Sequence, residues 1–121
     1  MNIEYIKMNG MDLAVVSGDQ AEMTTPQAAL DLAMTVRYEA GAGRIAIDKR
    51  VLGEDFFILS TGVAGEILQK FVNYRVKAAV YGDYSRYTSK PLRDFIYESN
   101  QGRHFFFAAS REEALERLAQ A

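Results

Sequence analysis

Two adjacent hydroxyl side chains, Ser60 and Thr61, stand directly before Gly62, where an apolar segment gives way to an amphipathic helix. A helix that begins there directs unpaired backbone N–H groups and the positive end of its dipole toward those hydroxyls. Such a position suits an anion or a phosphorylated side chain. Ser60, Thr61 and Gly62 are therefore candidates for a phosphoacceptor or anion-binding site. The alternative is a structural N-cap, which contributes about 1 kcal/mol.

A second polar group follows a later predicted strand. The loop from Asp83 to Thr88 contains an acid, a base, hydroxyls and phenols. Loops after the carboxyl ends of parallel strands meet at one edge of a sheet, so this loop should lie on the same rim as Ser60 and Thr61. The candidate ligand-binding residues on that rim are Asp83, Ser85, Arg86 and Tyr87. The competing interpretation is that this tyrosine-rich loop only packs its own rings.

The other chemistry-bearing residues do not form a recognisable catalytic or metal site. His104 is the only histidine, and the chain has no cysteine. A Ser-His-Asp triad would need His104 to reach across the sheet, and a metal site would rest on carboxylates alone. The segment Gly62-Val-Ala-Gly65 matches neither a dinucleotide-binding fingerprint nor a P-loop. We expect no cofactor and no metal, assign no catalytic residue, and favour binding over catalysis.

Length and composition predict one globular domain. The chain has 121 residues, of which 49% are hydrophobic and 25% charged, enough for one core and too few for two. A net charge of −2, with basic residues scattered along the sequence, argues against DNA or RNA as a partner. No apolar run reaches the roughly 18–20 residues that cross a bilayer, and no signal-peptide pattern is visible. We expect a cytoplasmic protein without a membrane partner.

The elements that must position the candidate residues alternate regularly after an initial hairpin, whose turn is predicted by Asn9-Gly10. The predicted elements are strands 3–8 and 13–17, a helix from 26 to about 40, strand 44–48, a helix after Gly62, strand 77–82, a helix after Ser89, strand 104–108 and a helix after Ser110. This order predicts a single α/β domain, an N-terminal β-hairpin followed by β-α repeats. The sheet should be mixed and mostly parallel, with helices packed on it.

Arg37 falls within the apolar arc of the first predicted helix. We expect its stem to pack against the core while the guanidinium reaches solvent past the helix end. The alternative is an ion pair with an acid such as Asp48 or Asp55, because an unpaired buried charge is costly.

The order of elements and one local segment resemble a STAS domain, the fold of the bacterial anti-sigma-factor antagonists. That family typically has Asp-Ser-Ser-Gly-Leu-Gly at the start of an apolar helix, and Leu59-Ser-Thr-Gly-Val-Ala-Gly65 occupies that place here. A Ser-x-x-Leu helix start at Ser89, an Asn-Gln-Gly stop, a last strand and a terminal amphipathic helix also fit. The chain also looks like a bacterial family recorded only as a domain of unknown function.

The resemblance implies a non-catalytic regulatory module. In that family the residue before the first glycine is a serine, phosphorylated by a partner kinase that is also an anti-sigma factor, and the modification switches the binding partner. Thr61 occupies that position and Ser60 is its neighbour, while Leu59 stands where the family usually has aspartate. The expected partner is a regulatory protein or kinase.

The alternative function is a small-molecule-binding protein, less plausibly an enzyme, with its site at the rim formed by the 60–62 and 83–87 loops. A closed pocket at that rim would favour the ligand, whereas exposed hydroxyls and a bare helix N-terminus would favour the module. A homodimer is compatible with either function. Its contacts would use exposed aromatic residues such as Tyr84, Tyr97 or Phe57.

Overall fold

Five strands form one mixed sheet in the order β1-β2-β3-β4-β5. The computed structural model describes residues 1–121. The strands are β1 (Asn2–Met8), β2 (Met11–Ser17), β3 (Arg44–Asp48), β4 (Lys77–Tyr81) and β5 (Phe105–Ala108). β1 pairs with β2 in antiparallel fashion, and every other neighbouring pair is parallel. The predicted α/β class, with its mixed and mostly parallel sheet, is confirmed.

The hairpin forms because Asn9 and Gly10 both adopt positive φ, at 53° and 77°. Two successive residues in that conformation make the tight turn whose twist matches that of the flanking strands. The predicted turn is confirmed, and both strands extend slightly beyond the predicted ranges.

Five α-helices connect or follow the strands. They are α1 (Pro26–Ala40), α2 (Lys49–Leu52), α3 (Val63–Asn73), α4 (Lys90–Gln101) and α5 (Arg111–Gln120). The side chains of Thr25, Ser89 and Ser110 accept hydrogen bonds from N–H groups in the first turns of α1, α4 and α5, as N-cap residues do. The segment between β3 and α3 is more ordered than the predicted connection, since it holds α2 and two short 3₁₀ turns, Glu54–Phe57 and Leu59–Thr61.

The sheet separates two cores. On one face, strand residues such as Ile45, Ile47 and Phe107 pack against α1 to α4 and the first 3₁₀ turn. On the other face, their sequence neighbours pack against α5 alone, mainly against Leu115 and Leu118. The alternation of side chains along each strand accounts for this division. Because β3 and β4 are parallel, the segments that follow them lie together at one end of the sheet, here called the carboxyl edge.

Phe56, in the first 3₁₀ turn, lies at the centre of an aromatic cluster beneath the carboxyl edge. Its side chain is 0% exposed. Its ring centroid lies 4.9 Å from that of Phe57, 6.2 Å from that of Phe105 and 6.3 Å from that of Phe107. Offset and edge-to-face pairs at such distances add to the free energy gained from burial alone. The cluster therefore joins the segment before α3 to β5.

Arg37 closes the end of α3. Its Nη1 donates to the carbonyl oxygen of Tyr74 at 2.7 Å, and its Nη2 donates to that of Arg75 at 3.0 Å. These carbonyls lie where α3 stops and have no partner within the helix. The guanidinium is therefore occupied by carbonyl groups rather than free in solvent. The alternative prediction, an ion pair with Asp48 or Asp55, is wrong.

Asp48, the last residue of β3, instead interacts with Arg50, two residues later in the chain. It is buried, and it pairs with the guanidinium of Arg50 at 2.8 Å while accepting the N–H of the same residue at 2.9 Å. Burial by itself raises the pKa of a carboxyl group, but the hydrogen bonds and charge of Arg50 outweigh it, so the pKa of Asp48 is lowered. The carboxylate thus serves as the N-cap of α2.

Side chains block the outer edge of β5. Asn100 of α4 donates from Nδ2 to the carbonyl oxygen of Phe107 at 3.2 Å and accepts the N–H of that residue at 2.8 Å. Glu113 accepts the N–H of Ala109 at 3.2 Å. Unpaired backbone groups on an edge strand attract further strands. At the opposite end of the sheet, β1 pairs only with β2.

Candidate functional site

An open groove of about 480 Å³ lies at the carboxyl edge, between segments 57–60 and 86–92. Ser60 lines one side, and Arg86 and Tyr87 line the other. The structure thus places one residue of the predicted hydroxyl pair and two residues of the predicted rim around a single groove, here called the carboxyl-edge groove. Thr61, Gly62, Asp83 and Ser85 do not line it.

The two adjacent hydroxyls have different surroundings. Thr61 Oγ1 lies 2.8 Å from the carbonyl oxygens of both Asp55 and Ile58, and it accepts the N–H of Val63 at 3.3 Å. Ser60 is exposed and its side chain makes no hydrogen bond to another residue. Thr61 therefore holds the chain in place before α3, whereas the hydroxyl of Ser60 is available to other molecules.

Gly62 occupies the N-cap position of α3, with φ 79° and no side chain to cap the helix. The predicted capping by a hydroxyl is thus limited to the contact of Thr61 with Val63. Glu66, in the first turn of α3, places its Oε1 4.0 Å from where a β-carbon on Gly62 would lie. An acidic side chain there already interacts favourably with the helix dipole. An anion at Gly62 would meet that like charge.

The first three residues of the 83–87 loop form hydrogen bonds with each other or with the preceding strand. Asp83 accepts the N–H of Ser85 at 2.9 Å, and this bond lowers the pKa of the Asp83 carboxyl group. Tyr84 donates its hydroxyl to the carbonyl oxygen of Val80 at 2.6 Å, and burial raises the pKa of Tyr84. The arrangement matches an Asx turn followed by a packed tyrosine. Packing and hydrogen bonding within the protein therefore account for Asp83, Tyr84 and Ser85 without a ligand.

The remaining rim residues face the groove. The ring of Tyr87 stacks on that of Phe57, with centroids 4.9 Å apart and planes inclined by 13°. Arg86 is exposed, and its side chain forms no salt bridge with another residue. A stacked aromatic floor with one free cation beside it can receive an anionic or planar group.

Lys49 holds this loop against the body of the protein. Its Nζ donates to the carbonyl oxygen of Asp83 at 2.9 Å and to the hydroxyl of Tyr87 at 3.1 Å. The same ammonium lies 4.6 Å from the ring centroid of Tyr87 and 5.8 Å from that of Phe57. A β-carbon on Gly82 would come within 2.9 Å of Lys49 Cβ, so only glycine lets the lysine approach this closely.

Sequence reasoning missed Lys49 as a component of this edge. Its position directly after Asp48, the last residue of β3, is the signal that could have found it, because strand ends define the edge. Thr88, at the end of the predicted loop, and Ser89 and Pro91, at the predicted helix start, also line the groove.

Lys49→Met should destabilise the protein by about 1–2 kcal/mol, because the thioether chain keeps the packing of the stem while both hydrogen bonds and the cation–π contact are lost. Urea denaturation followed by circular dichroism measures the change. Lys70→Met on α3 removes an equal charge from a residue with no such contacts and serves as the control. A Lys49→Met variant as stable as that control would refute this structural role.

Of the three aromatic residues considered for a dimer contact, only Tyr97 is well exposed, at 67%. Phe57 is 5% exposed, because Phe56 and Tyr87 cover its ring. Tyr84 is half-buried. The expectation that Phe57 offers an exposed contact is therefore wrong.

No group of three or more histidine, cysteine, aspartate or glutamate side chains is arranged to hold a metal ion. His104 is exposed beside a small, mainly apolar pocket of about 180 Å³ between α3 and α4, away from the carboxyl-edge groove. None of the helices combines the length and hydropathy that crossing a membrane would require.

Comparison with known protein families places nearly the whole chain in one of them. Residues 8–118 match the family described as Domain of unknown function (DUF4180). No match was found among curated proteins or among solved structures. The predicted likeness to a family recorded only as a domain of unknown function is thereby confirmed, and the chain belongs to the DUF4180 family.

Proposed function

We propose that the protein is a non-catalytic regulatory interaction module, similar in architecture to the STAS-type anti-sigma-factor antagonists, and that Ser60 is its phosphorylated switch residue. The observation that carries the proposal is the exposed Ser60 hydroxyl, which has no protein partner and lies on the wall of the carboxyl-edge groove. The partners are a kinase that modifies this residue and a regulatory protein that reads its state.

Ser60 is a better phosphoacceptor than Thr61, although the STAS resemblance points to Thr61. A kinase that modified Thr61 would have to displace its hydrogen bonds to Asp55 or Ile58. The new phosphate would also lie near the Glu66 carboxylate at the start of α3. Modification of Ser60 breaks no bond within the protein, so the cost to the fold is smaller.

A phosphate on Ser60 would change the groove strongly. It carries about −1.5 to −2 charges at neutral pH and three acceptor oxygens. Arg86 lies on the opposite wall without an ion pair, and its guanidinium can pair with a phosphate through two parallel hydrogen bonds. Phosphorylation would thus place a negative phosphate and the positive Arg86 on facing walls of the groove. A partner protein would then meet a different surface.

The surface beside Ser60 suits docking of a protein. Ile58, on the same wall, is 50% exposed, and Leu59 is half-buried next to it. Apolar side chains exposed beside a groove with an aromatic floor are typical of interaction sites. The groove is open rather than closed, and the N-cap residue of α3, Gly62, has no side chain to cap the helix. Both features favour an interaction module over an enclosed ligand site.

Mapping of phosphorylation tests the proposal directly. The protein is incubated with ATP and a lysate of its source cells, and intact-mass measurement is followed by peptide sequencing. We expect one phosphate, lost in Ser60→Ala and retained in the matched control Thr61→Ser. No phosphate under any growth condition, or a phosphate confined to Thr61, would refute the assignment of Ser60.

The second candidate function is small-molecule binding, which the volume of the groove favours. About 480 Å³ falls within the range of roughly 300–1,000 Å³ that is typical of ligand sites. Thermal unfolding with a set of anionic metabolites tests this function. A ligand-induced shift that disappears in Arg86→Ala, in a protein that no kinase modifies, would replace the proposed module with a ligand-binding role.

A further inference from the structure

The opposite edge of the sheet, where the parallel strands begin, carries a cluster of positive side chains. Arg44 is the first residue of β3 and Lys77 the first of β4, and the two are register partners in adjacent strands. Arg75 lies two residues before β4, and Arg103 shortly before β5. Cations that are scattered along the sequence are thus brought together by the order of the strands.

Two nearby arginines have internal roles. Arg37 and Arg44 donate to the carbonyl groups that end α3 and α5, where the helix dipole favours positive charge. None of the salt bridges involves the side chain of Arg75, Lys77 or Arg103. Capping of helix C-termini therefore does not explain why these three cations lie here.

The charges around Lys77 are unbalanced. Burial lowers the pKa of Lys77, and the positive charges of Arg44 and Arg103 lower it further. The one acid that lines this surface, Asp12, lies 3.6 Å from the ammonium of Lys7. The chain carries more acidic than basic residues, yet here one acid, Asp12, stands among three basic residues, Arg44, Arg75 and Lys77. A fold that keeps three neighbouring positive charges beside a single acid gains stability from an anion that binds between them.

A groove of about 300 Å³ lies in this cluster. Its lining includes Arg44, Arg75, Lys77, Asp12 and the two glycines of the α1–β3 loop, Gly41 and Gly43. Gly41 and Gly43 contribute only backbone atoms to the lining of the groove. A β-carbon on Gly43 would already stand 3.6 Å from Nη2 of Arg37. The volume is at the lower end of the range for ligand sites, which suits a small solute.

We propose that this groove, here called the amino-edge groove, binds a small phosphate-bearing solute. Lys77 and Arg75 are its direct contacts, and Arg44 and Arg103 add to the positive field around it. Arginine offers paired donors to the oxygens of a phosphate group, and lysine offers a compact charge. The site is independent of the carboxyl-edge groove, because the two lie at opposite ends of the strands.

Titration with inorganic pyrophosphate tests this site. Two-dimensional NMR at constant ionic strength measures the affinity and locates the site through the amides that shift. We expect saturable binding, with shifts centred on Gly41, Gly43 and Lys77. Lys77→Gln and Arg75→Gln should each weaken binding about tenfold, as expected when one charged contact is lost. Arg93→Gln on α4 removes the same charge far from the groove and should leave affinity unchanged.

Shifts that do not saturate, or that are centred on another surface, would exclude the site. An equal loss of affinity in Arg93→Gln would show that net charge alone drives binding. The amide spectrum of each variant reports whether it is folded, and Arg75→Gln provides a second test if Lys77→Gln unfolds. Sedimentation with vesicles of phosphatidic acid separates the sources of the phosphate, since protein that pellets despite excess pyrophosphate would contradict a free solute.

Discussion

Phe56→Ala should lower the free energy of unfolding by about 3–5 kcal/mol, the largest effect that we expect from a single substitution. The ring is fully buried and contacts Phe57, Phe105 and Phe107. Its removal leaves a cavity that the surrounding rings fill only in part. Because domains of this size are stable by only roughly 5–15 kcal/mol, a large share of the total would be lost.

Urea denaturation with two matched variants measures this effect. Phe56→Leu keeps most of the volume and should lose much less stability than the alanine variant. Ile58→Ala changes an exposed side chain two residues away and should stay within about 0.5 kcal/mol of the parent. Equal losses for Phe56→Ala and Ile58→Ala would contradict the central position of the aromatic cluster.

Arg37→Met should cost about 2–3 kcal/mol, because two carbonyl groups at the end of α3 lose a charged donor. The methionine keeps most of the apolar stem. Arg37→Ala should cost somewhat more, since the packing of the stem is then lost as well. Thermal and urea unfolding of the two variants separate the hydrogen bonds from the packing.

Tyr38→Ala is the control for these Arg37 variants, since Tyr38 is the next residue in α1 and is 92% exposed. It should leave stability nearly unchanged. Hydrogen exchange adds a local readout, because Arg37→Met should open the last turn of α3 before the rest of the helix. Unchanged exchange at Phe71 and Asn73 would show that the guanidinium does not hold that turn.

Local signals made much of the fold predictable from the sequence. Asn9-Gly10 makes the hairpin turn, Thr25 caps α1 before Pro26, and Gly41 ends α1 with a positive φ of 67°. Each acts through the conformation of one or two residues. Such signals are readable without the tertiary structure. The hydrophobic pattern of the later strands then led to the mostly parallel sheet, and the rule for strand ends led to the carboxyl edge.

The details of the site depend on contacts between distant parts of the chain, so the sequence could not provide them. Ser60 and Thr61 are neighbours with similar side chains, and only the carbonyl groups of the preceding turn distinguish them. The partner of Arg37 lies 37 residues away, beyond any local pattern. The amino-edge groove likewise depends on strand order, which brings Arg44 beside Lys77.

The blocked edge of β5 limits the number of copies that could join through their sheets. Asn100 occupies both backbone groups of Phe107 in that strand, and Glu113 occupies the N–H of Ala109 just after it, so β1 is the more open edge strand for pairing with another chain. Two copies joined by their β1 strands about a two-fold axis would bury the open edge of each. The resulting continuous sheet would end in a β5 strand on both sides. The side chains on β5 therefore disfavour growth of this sheet beyond a pair.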